Sequence, residues 1–187
     1  MMKKCGKVTV IVGPMYSGKT TELLTFVEIY KLGKKKFKVF KPIIDDRYGK
    51  EQIQSHSGMK VEATPISHSS DSFRFITDHD AVFFDEIQFF DSDLSNVVKK
   101  LRKDGKDVIC AGLDMSFKEN PFDTTAKIMC IADKVVKKKA VCHECGEHKG
   151  IITYKLEDDD SEIDVGGMEK YVAVCIDCYK KLHSGNE

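Results

Sequence analysis

The apolar positions of this chain fall into two patterns: short unbroken runs, and residues recurring every three or four positions. Unbroken runs rich in β-branched residues suit strands buried on both faces of a parallel sheet. They occur at 7–12 (Lys7-Val8-Thr9-Val10-Ile11-Val12), at 81–84 (Ala81-Val82-Phe83-Phe84) and at 107–113, and further strands are expected at 37–41, ending at Pro42, at 59–66 and at 131–136. After the first run, Leu23, Val27 and Tyr30 recur at helical spacing with Leu24 and Phe26 beside them, and Gly33 stands where a helix stops. A short helix is expected over 69–77. A further one, capped by Asp91 or Ser92, carries Leu94, Val97, Val98 and Leu101 at i, i+3, i+4 and i+7. Strand and helix thus alternate with short connections, which predicts an α/β fold with a parallel sheet flanked by helices.

The connection after the first strand turns this fold toward chemistry. Gly13-Pro14-Met15-Tyr16-Ser17-Gly18-Lys19-Thr20 fits the phosphate-binding pattern G-x-x-x-x-G-K-[ST] at every fixed position. Its glycines let backbone N–H groups converge on phosphate oxygens, and the helix that follows adds its positive end. Lys19 reaches the β- and γ-phosphates, and Thr20 offers a hydroxyl to a magnesium ion. The alternative is an ordinary strand-to-helix turn with fortuitous glycines, but strand, loop and helix stand here in the required order. A P-loop sheet of the RecA-like kind is therefore expected.

Other strand ends add candidates. Open parallel sheets place ligands beyond the C-terminal ends of their strands. Asp45 and Arg47 lie beyond the second strand, where they are either part of a phosphate and metal shell or a charged surface turn. The apolar run 81–84 leads into Asp85-Glu86, the expected arrangement for a second magnesium-site element. Asp85 could hold the ion through water while Glu86 turns toward an acceptor and takes its proton. Gln88-Phe89-Phe90 could line a substrate pocket, with plain core packing as the alternative for the rings. The loop from Asp114 through Phe117 to Phe122 is a plausible wall for a planar ligand. His56 by itself is no evidence of catalysis.

Composition bounds the remainder. The 187 residues suffice for one sizeable domain with a small appendage, and 41% hydrophobic with 32% charged content describes a soluble globular chain. No apolar run approaches the roughly 20 residues that span a bilayer, and the first strand leaves no room for a signal peptide, so a cytoplasmic protein is expected. Thirty basic and thirty acidic residues cancel, giving no reason to expect nucleic acid or an anionic membrane as partner. Of the seven cysteines, Cys5, Cys110 and Cys130 are scattered in apolar settings. Cys142-x-x-Cys145 and Cys175-x-x-Cys178 form pairs that, in a reducing compartment, point to a closed structural zinc site at the base of a long loop. That loop holds the acidic stretch 157–162, Gly166-Gly167 and then Tyr171. His143, His148 and His183 lie nearby in sequence, but four sulfurs already satisfy zinc.

Taken together, the phosphate loop, Asp45-x-Arg47-Tyr48, Phe84-Asp85-Glu86-x-Gln88-Phe89-Phe90, Gly112-Leu113-Asp114, Pro121-Phe122, Gly166-Gly167 through Tyr171 and both C-x-x-C pairs resemble the type II (bacterial and cellular) thymidine kinases, in that family's order. The resemblance implies a P-loop kinase domain at 1–139 and a zinc-bound lasso domain at 140–187. It implies transfer of the γ-phosphate of ATP to the 5′-hydroxyl of thymidine, giving dTMP in nucleotide salvage, and leaves the tolerance for deoxyuridine open. Glu86 would be the general base, with Lys19 and Arg47 stabilising charge. Residues 13–20, Thr21, Asp45, Asp85 and Gln88 would hold the nucleotide, with Thr20 and Asp85 at magnesium. Met15, Phe89, Leu113, Phe117, Phe122 and Tyr171 would line the nucleoside pocket, and the backbone of Ile163, Asp164, Val165, Gly166 and Gly167 would read the base. Family members are commonly tetramers inhibited by dTTP. Ile87 departs from the small residue usual at its position, as do Met115 and Met168, which bears on selectivity. The runner-up is a P-loop ATPase or switch whose zinc unit binds a macromolecule; it would release inorganic phosphate and make no nucleoside monophosphate.

Lys19 sits beside phosphates and packs against little, so Lys19→Ala should abolish transfer with little loss of fold; near-normal turnover in a stably folded variant would sink the phosphate-loop assignment.

Overall fold

The computed structural model describes residues 4–45, 49, 51–55, 58–156 and 169–184. Strands β1 (Val8–Val12), β2 (Phe37–Pro42), β5 (Thr64–Ile66), β6 (Ala81–Phe84), β7 (Asp107–Gly112) and β8 (Lys134–Lys137) form one sheet in the order β5-β2-β6-β7-β1-β8. Every pairing in it is parallel. β7 lies between the strand leading to the phosphate loop and the strand leading to Asp85, which is the RecA-like order. The expected fold is therefore present.

Side-chain alternation explains why the strands read as unbroken apolar runs. Val8, Val10, Val12, Phe40, Val82, Phe84, Val108 and Cys110 pack on one side with Leu94, Val97, Val98 and Leu101 of helix α2 (Leu94–Lys103) and Ile128 of α3 (Asp123–Ile131). The intervening Ile11, Val39, Ala81, Phe83, Ile109 and Ala111 pack on the other with Leu23, Leu24 and Val27 of α1 (Lys19–Leu32). Each strand keeps its period of two, but both sets meet a helix, so neither is polar.

Several boundaries depart from the sequence expectation. The run 59–66 is two strands: β4 (Lys60–Glu62) turns back on β3 (Gln52–Gln54) in a separate antiparallel hairpin, and only β5 joins the main sheet. Ala63 lies between them, buried, its N–H bonded to the Glu51 carbonyl. The helix expected at 69–77 is a 3₁₀ turn over Ser69–Arg74. Asp93, not Asp91 or Ser92, precedes α2. Asp91 instead accepts from the N–H and hydroxyl of Ser69 and from Asp93 N–H. Burial would raise its carboxyl, but these donors hold it below the usual carboxylate range. The last strand of the sheet starts later than expected, because Ile131 closes α3 and Asp133 bonds both to Val8 N–H and to Arg102.

A second, smaller core surrounds the paired cysteines. Strands β9 (Ile152–Lys155) and β10 (Tyr171–Val174) pair antiparallel, and α4 (Ile176–Ser184) follows. Cys142, Ile152, Val172, Val174, Cys175 and Cys178 are buried together. Among the described residues no helix is long and apolar enough to cross a membrane.

Phe83 is fully buried, and its ring meets Tyr30 edge-on at 5.6 Å and Phe37 at 5.9 Å. Phe83→Ala should cost about 3–5 kcal/mol, because a close-packed core collapses only partly around a lost ring. Urea denaturation should show a lower midpoint at unchanged slope; an unchanged midpoint would contradict this packing.

Candidate active site

Because the main strands all point one way, β1, β2, β6 and β7 deliver their following residues to one edge of the sheet. At the end of β1, Gly13 (φ 145°) and Gly18 (φ 77°) adopt conformations closed to most side chains, and Tyr16 is also left-handed (φ 62°). Gly18 opens α1, so the first N–H groups of that helix face the loop. Ser17 Oγ and Lys19 Nζ each donate to the Pro14 carbonyl at 2.8 Å, curling the loop on itself. Thr21 follows, half-buried, in the first turn.

Thr20 Oγ1 donates to Asp85 Oδ2 at 3.3 Å. The two candidate magnesium ligands, remote in sequence, are thus brought together as hard oxygen donors, which is the donor set that ion prefers. Asp85 is 4% exposed, its N–H bonded to the Phe40 carbonyl and its Oδ1 accepting Glu86 N–H at 3.0 Å. Glu86 is left-handed (φ 51°, ψ 47°), a conformation costing a non-glycine residue on the order of 1 kcal/mol or more. The 3₁₀ turn Ile87–Phe89 follows it. Gln88 Nε2 donates to Glu86 Oε2 at 2.6 Å, while its Oε1 accepts Leu113 N–H at 3.0 Å. Asp45 is buried past the end of β2, its N–H on the Pro42 carbonyl.

The aromatic candidates partly converge. Phe117 and Tyr171 approach to 6.5 Å between ring centroids, although one follows β7 and the other begins β10. The segment between Asp114 and Phe122 folds back on itself through Met115 and Pro121, with Phe122 N–H on the Asp114 carbonyl. Phe122 precedes α3 and is half-buried, as are Met15, Phe89 and Leu113. Arg47 and 163–167 lie outside the described residues, as do His56, Met168 and the acidic stretch 157–162.

Three contributors escaped the sequence reading. Thr153 Oγ1 accepts Met15 N–H at 3.1 Å, joining β9 to the phosphate loop. Two residues along the same strand face, Lys155 sets its ammonium 5.2 Å from the Phe117 ring and 6.0 Å from that of Tyr171. Both are buried polar residues at i and i+2 of a strand, and that alternation was the available signal. Lys41, 1% exposed, donates to the carbonyls of Gly49 (2.8 Å) and Gln52 (3.1 Å), fastening the chain that leaves β2. Nothing in the sequence distinguishes it from the lysines around it.

The sulfurs of Cys142, Cys145, Cys175 and Cys178 lie within 4.8 Å of one another, the one such cluster among the described residues. Tetrahedral zinc–thiolate bonds of about 2.3 Å require sulfurs about 3.8 Å apart, so the set fits a metal of that kind. Burial raises the Cys142 thiol, but backbone N–H groups of Cys145, Cys175 and Glu144 bring it down to about 6. A sulfur-to-sulfur contact with Cys175 and burial push Cys178 up to about 12. The nearby histidines are exposed: His148 meets the Lys139 carbonyl, and His183 lies 4.2 Å from the Tyr179 ring. Of the scattered cysteines only Cys110 is buried; Cys5 and Cys130 are exposed, contrary to the apolar setting expected of them.

A family model described as thymidine kinase matches residues 6–179. A thymidine kinase of Pseudothermotoga lettingae is 57% identical over 183 residues, covering 97% of this chain and 99% of that protein. Two solved structures of lower identity share part of the fold. The flagellar accessory protein FlaH of Methanocaldococcus jannaschii gives a TM-score of 0.48 at 15% identity, over 72% of this chain and 71% of that one. The genome packaging NTPase B204 of Sulfolobus turreted icosahedral virus 2 gives 0.47 at 14%, over 71% and 74%.

Metal analysis of the purified protein should find one zinc per chain. Stripping it, or changing Cys145 to Ser, should raise the nucleoside KM before the main sheet unfolds, because β9 touches the phosphate loop at Met15. Absence of zinc, or an unchanged KM in the serine variant, would count against this coupling.

Proposed function

Since the chain belongs to the thymidine kinase family and phosphorylates thymidine with ATP, we propose that Glu86 is the general base that takes the proton of the 5′-hydroxyl as its oxygen attacks the γ-phosphate. The observation that carries this reading is that Asp85 and Glu86, adjacent at the end of β6, engage different partners. Asp85 accepts the hydroxyl of Thr20 from the phosphate loop, whereas Glu86, in its left-handed conformation, accepts Gln88 Nε2. These separate partners support a nucleotide-side role for Asp85 and an acceptor-side role for Glu86.

Phosphoryl transfer passes through a loose transition state, so positioning and charge stabilisation dominate and a general base adds about 10²–10⁴-fold. In this reading the loop N–H groups and Lys19 hold the β- and γ-phosphates, with Arg47 and Asp45 completing the shell. Thr20 and Asp85 would hold magnesium, which when bound offsets charge across the phosphate oxygens. Met15, Phe89, Leu113, Phe117, Phe122 and Tyr171 enclose the nucleoside. The backbone at 163–167 reads the base edge, where a mismatched group left unpaired costs about 1–3 kcal/mol. Deoxyuridine, which lacks only a methyl, is a second acceptor.

The four cysteines hold structural zinc, closed to catalysis by its four sulfurs. Their separate core supports a division near residue 140 into kinase and lasso domains. A cytoplasmic homotetramer inhibited by dTTP completes the proposal. Ile29 and Leu32, 58% and 80% exposed on α1, support burial of that face in an assembly.

Glu86→Gln preserves size and much of the hydrogen bonding but takes up no proton near neutral pH. Its kcat should fall about 10²–10⁴-fold with thymidine KM changed only modestly. Asp85→Asn should instead weaken the magnesium response. Turnover of folded Glu86→Gln within a few-fold of the parent would assign that carboxylate a structural or sugar-positioning role.

A further inference from the structure

A glutamate side chain has enough rotatable bonds to leave its carboxylate spread over several positions, yet a general base must meet its proton within hydrogen-bond reach. The backbone of Glu86 is fixed at both ends: its N–H is on Asp85 Oδ1 at 3.0 Å, and its carbonyl accepts Phe89 N–H at 3.0 Å. The carboxylate itself is met by Gln88, whose Nε2 donates to Oε2 at 2.6 Å.

Gln88 is well placed for this. It is 7% exposed, and both ends of its amide are engaged. Its Oε1 accepts the Leu113 N–H, the backbone donor that follows β7. A backbone N–H can only donate and an ionised carboxylate can only accept. The amide therefore has one allowed orientation; turned over, it would set oxygen against oxygen and N–H against N–H. Space permits this pose. A Cβ on Gly112 would fall 2.6 Å from Gln88 Oε1 and 2.6 Å from Ile87 Cγ1, so the end of β7 leaves room for this amide because residue 112 is glycine.

We infer that Gln88 is a positioning residue for the Glu86 carboxylate, a rigid strut running from the Leu113 amide across the Gly112 gap to the base. The residues alone offered Gln88 to a substrate pocket, and the family resemblance groups it with the nucleotide-binding residues. Both ends of its amide are engaged within the protein, and in this inference its effect reaches the substrate through Glu86. The inference rests on Glu86 being the base.

The test is a pair of variants and their combination, with ATP and thymidine both varied. Gln88→Met keeps the length of the side chain but neither donates nor accepts as the amide does. Its kcat should fall by about 10-fold to 10²-fold, the scale of a misplaced catalytic group. KM for ATP and for thymidine should stay within about threefold. In the Glu86→Gln background the same change should cost almost nothing further in kcat, since a strut without its base has nothing to position. Should Gln88→Met fold poorly, Gln88→Asn, whose shorter amide cannot span the gap, should give the same pattern. A raised KM at preserved kcat would overturn the inference by showing that Gln88 binds a substrate directly. Losses that multiply in the double variant would overturn it by showing that Gln88 acts independently of Glu86. The reading of Glu86 fails separately, if Glu86→Gln alone keeps near-parental kcat.

Discussion

The parallel direction of the main sheet is the constraint on which the site depends. Parallel strands put all their C-terminal ends on one edge, so residues distant in sequence, from Gly13 to Asp45, Asp85 and Leu113, gather there. Such a sheet must be covered on both faces, and the two helical layers that cover it also fix its strands in register. Rigidity at the edge is thus a by-product of burial at the centre.

Within that frame, polar atoms are satisfied pairwise across elements. Thr20 meets Asp85, Gln88 spans Glu86 and Leu113, and Thr153 meets Met15. Each bond joins groups from different segments in a partly buried setting, where a lost partner costs more than the bond itself contributes. Left-handed residues occur at the same places, Tyr16 and Glu86 among them. Strain of that kind persists where surrounding contacts over-determine the backbone.

How much of this was legible depended on whether a feature had a local sequence cause. The strand–loop–helix order around 13–20, the strand 81–84 and the paired cysteines have local sequence causes, and the structure has the strand at Ala81–Phe84 and the four cysteines together as expected. The β3–β4 hairpin was missed because Gln52-Ile53-Gln54 carries a single apolar residue, and because Met59, Val61 and Ala63 alternate with polar residues up to Thr64, so that 59–66 reads as one strand through the turn at Ala63. Helix α3 escaped notice because Thr124-Thr125 lowers helix propensity, while the apolar residues ending at Ile131 run on into a strand pattern. Lys41, Thr153 and the strut at Gln88 are defined by partners far along the chain, which no local pattern encodes. The joining of Phe117 to Tyr171 was expected, but from resemblance and not from spacing.

The strand order also dictates how the molecule is assembled in time. β1 is made first, yet its neighbours on either side are β7 at 107–112 and β8 at 134–137. Until those distant segments arrive, the first strand has no partner at either edge, and its loop has no floor to rest on. Closing such long stretches of chain is entropically expensive and therefore slow. A nascent chain thus carries the phosphate cradle long before β7 and β8 emerge, but that cradle can take its working shape only once those strands have been made.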